Sequence, residues 1–183
     1  MTGNAFAAID LSEATRHELA AQLDAASTGR RMPGKLVAPP NWHITVRFLG
    51  DVEDAIVERF VARYADTIDA MRGRIRCAGL GAFPSLATAR VLYASIDDPS
   101  HLLPTLADQA EVAAEDAGLE PEDRPYRPHL TLSRLRPKQD VRAFVQSFGD
   151  FSVRIPVEEV TVFRSERTPD GLVYRRLHRI PIE

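Results

Sequence analysis

"NWHITVRFLG", residues 41–50, decides how the rest of the chain is read. Along a strand successive side chains point to opposite faces, so His43 and Thr45 share one face while Ile44 and Val46 turn into a core. The same pattern returns in "RPHLTLSRLR", residues 127–136, where His129 and Thr131 share a face and Leu130 and Leu132 oppose them. With 5 histidines and 10 threonines in 183 residues, two chance His-x-Thr matches have a probability of roughly 3%. A repeated His-x-Thr strand predicts two related halves, each presenting one histidine.

Working outward, "AFAAIDL" (5–11) reads as a first strand, and Ser12 caps a helix that carries Leu19, Leu23 and Ala26 on one face before Gly29 stops it. "MPGKLVAPPN" (32–41) reads as a proline-rich loop leading to the first motif strand. A second helix then carries Val57, Phe60, Tyr64, Ile68 and Met71 at helical spacing. "GRIRCAGLGAFP" (73–84) and "ARVLYASI" (89–96) read as paired strands with an irregular link. From Ser100 a third helix aligns Leu103, Leu106, Ala110, Ala113 and Ala117, with Pro104 delaying its start by a few residues.

After the second motif strand come a short helix near 139–147 and the segment "FSVRIPVEEVTVF" (151–163), whose alternation breaks phase between Val157 and Val160. That break predicts a bulge near Pro156 to Glu159. "TPDG" (168–171) predicts a hairpin returning through "LVYRRLHRI". The element order is close to one pattern used twice, with residues 5–96 as one copy and 97–180 as a diverged or permuted second. The expected fold is α+β: a bilobal, pseudo-twofold body of two antiparallel sheets flanked by helices, with the paired motif strands at a central cleft. Residues 1–183 are read as a single two-lobed domain, one motif per lobe.

Composition narrows the function classes. A net charge of −3 with 27% charged residues excludes a basic nucleic-acid coat or polybasic membrane binder, so any anion must be bound locally. The single cysteine, Cys77, excludes an internal disulfide framework and a cysteine-based zinc site. No apolar run approaches the roughly 20 residues needed to span a bilayer, and the start of the chain lacks a leader pattern. The expectation is a soluble, cytoplasmic protein, monomeric by default.

Two histidines and two hydroxyls on facing strands suit in-line attack at phosphorus. One imidazole accepts a proton from water while the other donates to the leaving oxygen, because the unperturbed pKa is about 6.5. Threonine hydroxyls can donate hydrogen bonds to the anion between them. Two readings from other classes stand beside this one. A zinc hydrolase could use both histidines but would need a third protein ligand, and no nearby carboxylate or cysteine completes a set. A noncatalytic nucleotide- or RNA-binding module could keep the same pocket, although binding alone requires neither acid nor base. His17, His101 and His178 have no such partner and read as surface or capping residues, Cys77 as packing, and Arg47, Arg124, Arg127 and Arg136 as a solvated rim in preference to a weak electrostatic funnel for RNA.

"HITV" and "HLTL" together resemble the signature of the two-histidine phosphoesterase superfamily, and in particular of the RNA 2',3'-cyclic phosphodiesterases formerly described as 2'-5' RNA ligases. "FAAIDL", "HITVRFLGDV", "GLGAFPS", "ARVLYASI", "RPYRPHLTLSRLR" and "VFRSERTPDGLVY" resemble that family's blocks in the family's order. The resemblance implies a metal-independent, cofactor-free hydrolase that opens 2',3'-cyclic phosphates on RNA or oligonucleotide ends, tRNA fragments among them, to 2'-phosphates, with reversible 2'-5' joining. It implies His43 as acid to the 3'-oxygen, His129 as base to water, and Thr45 and Thr131 as holders of the phosphate oxygens. Arg134 takes the place of the family's phosphate-contacting arginine, and its counterpart after His43 is Phe48, packing near the base. By strict alternation Arg134 falls on the face opposite His129 and Thr131, so its role requires a twist or a strand end nearby.

Overall fold

Both motif strands do more than alternate. In the computed structural model, which describes residues 3–169 and 171–183, β3 (His43–Gly50) and β6 (His129–Gln139) begin with the same burial order. Position +1 and position +3 from each histidine are buried as expected, but position +4 is buried as well, and +5 is exposed. The cause is a bulge of one residue in each strand. Beside β3, β1 (Ala5–Asp10) pairs Ala8 with Thr45 but Ala7 with Arg47. Beside β6, β5 (Ala89–Asp97) pairs Tyr93 with Thr131 but Leu92 with Ser133. An extra residue flips the parity of everything beyond it. Phe48 and Arg134 are thereby returned to the histidine face.

The remaining elements are α1 (Glu13–Ser27), β2 (Lys35–Leu36), α2 (Asp54–Thr67), β4 (Gly73–Phe83), α3 (Leu102–Asp116), α4 (Arg142–Ser147), β7 (Val153–Val157), β8 (Glu159–Thr168) and β9 (Gly171–Pro181). The strands form one sheet in the order β7-β4-β5-β6-β3-β1-β8-β9, with β2 on β6. All pairings are antiparallel. The two expected sheets are thus two four-strand halves joined edge to edge, and the join is a single pair, Ile44 with Leu130. Tyr126 reinforces it by donating its hydroxyl to the carbonyl of Thr45 at 3.0 Å.

The halves do not follow the sequence copies. β4 and β5, from the first copy, lie beside β6, whereas β8 and β9, from the second, lie beside β1. Each of the two sequence segments therefore keeps its own motif strand and lends its closing strands to the other half. The phase break after Val157 marks this crossing and is no bulge: Val157 pairs with Gly73 on one edge, and Glu159 pairs with Pro181 on the other. Since only Glu158 separates β7 from β8, the sheet must curl until its two outer edges approach each other.

Local chemistry explains the helices. Ser12 accepts a hydrogen bond from the Thr15 amide at 3.1 Å and caps α1, whose buried face is Thr15, Leu19, Leu23 and Ala26. In α2 the buried face is Val57, Phe60 and Tyr64, and burying Phe60 alone contributes about 2–3 kcal/mol. The helix ends at Thr67, short of the expected Met71, which is 82% exposed. There the chain leaves the helix to anchor Arg72, whose amide donates to the Glu183 carbonyl at 3.0 Å. Pro104 does not delay α3. It sits in the first turn, where no amide partner is needed, and Asp98 accepts the amides of Leu102 and Leu103 at 3.1 and 2.7 Å. The expected loop at 32–41 contains β2, and Gly34 lets it press against β6, since a Cβ there would lie 2.7 Å from the Arg134 carbonyl. Thr168 pairs with Gly171 at the expected hairpin, and Asp170 lies outside the described residues. No described helix is long and apolar enough to cross a membrane.

Candidate active site

His43 and His129 open β3 and β6 on either side of the single pair that joins the halves. Each imidazole is held the same way. His43 Nδ1 lies 2.8 Å from the carbonyl oxygen of Asn41, and His129 Nδ1 lies 2.8 Å from that of Arg127. A carbonyl can only accept, so Nδ1 carries the proton in both rings and Nε2 is left to exchange protons with a bound group.

Aromatic side chains from adjoining strands fix the rings. Phe6 and Tyr174 lie 4.8 and 5.1 Å from the His43 ring, Tyr174 edge-on. Phe83 and Tyr93 lie 4.9 and 5.4 Å from that of His129. Phe6, Ala8 and Phe163 form a small apolar cluster of their own, packed with Tyr174 and separate from the main core. None of these aromatic supports was singled out in the sequence, although Phe6 and Ala8 alternate there as a second apolar face of β1 would require.

Burial lowers the pKa of His43 from its ordinary 6.5, and the positive charge of Arg134 adds to this, against the Asn41 carbonyl and the Asp10 carboxylate, which raise it. Burial likewise lowers His129, again with Arg134 assisting and the Arg127 carbonyl opposing. The charge of Arg134 therefore acts on both imidazoles. The bulge after Leu132 brings it there, and Ser133, fully buried, pins that bulge by donating to the Pro33 carbonyl at 2.7 Å.

A cleft of about 960 Å³ opens on the His43 side, lined by His43, Thr45, Phe48, Arg134, Leu172 and Tyr174 among others. His129 is not part of its lining. Phe48 is 46% exposed there, an apolar face turned to solvent. Among the described residues neither the Thr45 nor the Thr131 hydroxyl makes a hydrogen bond within the protein, so both are available to a bound anion. No group of three His, Cys, Asp or Glu side chains is arranged to hold a metal ion among the described residues.

One rim assignment is corrected. Arg47, expected among the solvated arginines, is 8% exposed, because the β3 bulge turns position +4 inward. It lies 2.7 Å from a Glu111 carboxylate oxygen and donates to the Glu120 carbonyl at 2.7 Å, tying α3 and the segment after it to β3. Arg124, Arg127 and Arg136 are exposed. His17 and His101 are exposed as well, and His178 pairs with Glu58 at 3.0 Å. Cys77 is fully buried, its thiol pushed up to about 12 by desolvation, which fits packing.

Comparison with known proteins shows the family. A model of the LigT-like phosphoesterases matches the chain twice, over residues 9–93 and 97–174. An RNA 2',3'-cyclic phosphodiesterase of Aeropyrum pernix is 31% identical over 85% of this chain and 89% of its own length. One from Thermus thermophilus is 32% identical over 97% of this chain and 89% of its own. A solved phosphoesterase superposes with a TM-score of 0.80 over 100% of this chain and 99% of its own, at 24% identity, which speaks to the fold. With the family model covering most of the sequence, the chain belongs to the LigT-like phosphoesterase family.

Proposed function

We propose that the protein hydrolyses the 2',3'-cyclic phosphate at the end of an RNA or oligonucleotide, leaving a 2'-phosphate. The observation that carries this reading is the matched pair of imidazoles, each with Nδ1 committed to a backbone carbonyl two residues earlier and Nε2 left to the site. The relatives that bear the same activity in their names support the substrate class.

In this mechanism His129 Nε2 takes a proton from water as its oxygen bonds to phosphorus. The bond from phosphorus to O3' breaks on the far side, and His43 Nε2 returns a proton to O3'. Thr45, Thr131 and Arg134 hold the nonbridging oxygens, where negative charge builds in the transition state. The one-sided cleft supports this division of labour. O3' belongs to the ribose that stays bonded to phosphorus through O2', so the nucleoside lies on the leaving-oxygen side and needs the room found beside His43, whereas the base need admit only water. Phe48 offers its exposed ring to the nucleobase. An RNA 5'-hydroxyl in place of water would give a 2'-5' linkage by the same steps.

None of these steps calls for a metal. The test is an oligoribonucleotide ending in a 2',3'-cyclic phosphate, incubated with the protein and a strong chelator. A 2'-phosphate product is expected. A 3'-phosphate, or loss of turnover on chelation, would refute the mechanism, and recovery of bound substrate unchanged would favour the binding module.

A further inference from the structure

Asn41 stands in two hydrogen bonds that lead in opposite directions. Its carbonyl receives His43 Nδ1 at 2.8 Å, and its side-chain Nδ2 donates to the carbonyl of Leu172, on β9, at 2.9 Å. The peptide around it is stiff. Pro39 and Pro40 fix the preceding backbone, the Asn41 amide donates to Ala38 at 2.8 Å, and the Trp42 indole donates to Val37 at 3.0 Å. A force on the Asn41 side chain is therefore passed to its carbonyl rather than lost in the loop.

The strand at the other end is no bystander. Leu172 and Tyr174 of β9 both line the cleft, and the Tyr174 ring meets His43 directly. The β8–β9 hairpin thus touches His43 by two routes, a ring contact and the Asn41 relay. His129 has ring contacts of its own but no such relay: among the described residues, the Arg127 side chain makes no hydrogen bond or ion pair to a neighbouring strand.

We propose that Asn41 is a positioning residue that couples the β8–β9 hairpin to the tautomer and aim of His43, so that a nucleotide lodged against the hairpin sets the acid and not the base. This inference rests on the proposed function for its catalytic consequence, though its structural half does not. Asn41→Ala keeps the carbonyl and removes the link to Leu172, while Asn41→Gln retains a donor and should restore part of the link.

The experiment pairs two readouts on the full chain. The tautomers of His43 and His129 are read from nitrogen-15 imidazole spectra above their titration range. Single-turnover rate and KM are read on the cyclic-phosphate oligonucleotide. In Asn41→Ala the His43 spectrum should move from the Nδ1–H form toward a mixture, with His129 unchanged. The rate should fall about tenfold, the size of one net hydrogen bond, with little change in KM. Asn41→Gln should recover part of both. An unchanged His43 spectrum, or equal changes in both histidines, would overturn the proposal. Should the wild type not turn over this substrate, the spectra alone still decide the coupling, and the failure belongs to the functional reading.

Discussion

Replacing Gly81 by alanine should disable the site while sparing the fold. Gly81 pairs across the sheet with Tyr93, and a Cβ at position 81 would lie 2.5 to 2.6 Å from the Tyr93 ring and hydroxyl. Ordinary carbon contacts lie near 3.5–4.0 Å, so the ring must withdraw by roughly 1 Å. It is the outer end of a half-buried side chain, and swinging it should cost the fold no more than about 1–2 kcal/mol. The Tyr93 ring, however, packs against His129 at 5.4 Å and Phe83 at 4.5 Å, so its displacement is passed to the base. A 1 Å error at a catalytic group is worth about a hundredfold in rate, or about 2.7 kcal/mol of barrier. Single-turnover kinetics and urea melts of Gly81→Ala would measure both numbers. Tyr93→Ala supplies the control, because removing the ring removes the three closest contacts of the added methyl, and Gly81→Ala in that background should cost little more. A Gly81→Ala rate within twofold of wild type would refute the argument that Tyr93 aims His129.

Other consequences are more direct. Burial lowers both histidine pKa values, and the active free enzyme holds one imidazole protonated and one neutral, so the kcat/KM profile should be a bell peaking below pH 6.5. Bound phosphate favours imidazolium, so the kcat profile should peak at higher pH than that of kcat/KM, and coincident peaks would contradict this. In the window between the lowered folded values and 6.5 the unfolded chain binds more protons. Stability should therefore rise with pH there and be lost as pH falls through the window, and His43→Gln with His129→Gln should flatten that slope in urea melts. Arg47→Ala strands Glu111 and two carbonyls and should cost about 3 kcal/mol in a urea melt, against no more than about 0.5 kcal/mol for the exposed Arg124→Ala. Tyr126→Phe removes the bond to the Thr45 carbonyl across the joint and should cost about 1 kcal/mol by the same measurement.

The motif strands carried most of what could be read in the sequence, because alternation places His43, Thr45, His129 and Thr131 without reference to anything distant. The bulge of the second motif strand was also legible, though less plainly. Apolar residues run 130, 132, then 135 in the second strand, a slip of one, whereas in the first Phe48 continues the alternation of Ile44 and Val46 and hides the same slip, leaving only Leu49 to mark it. The slip in the second strand puts Arg134 on the histidine face, where strict alternation does not, and the structure shows the same for Phe48. The exchange of strands between halves was not legible, since the break after Val157 looks the same whether a strand bulges or leaves for the opposite edge. Nor was the role of Asn41 or Tyr93, which depends on neighbours 131 and 12 residues away along the chain.

The central claim is that two histidines act as one acid–base unit. Single-turnover rates on a 2',3'-cyclic phosphate oligonucleotide would be compared for wild type, His43→Ala, His129→Ala and the double variant, with stability checked in each. Each single replacement should lose about 10²–10⁴ in rate, and the double should be scarcely slower than the worse single, because removing one member already idles the other. A single variant within tenfold of wild type, or losses that multiply in the double, would contradict the account.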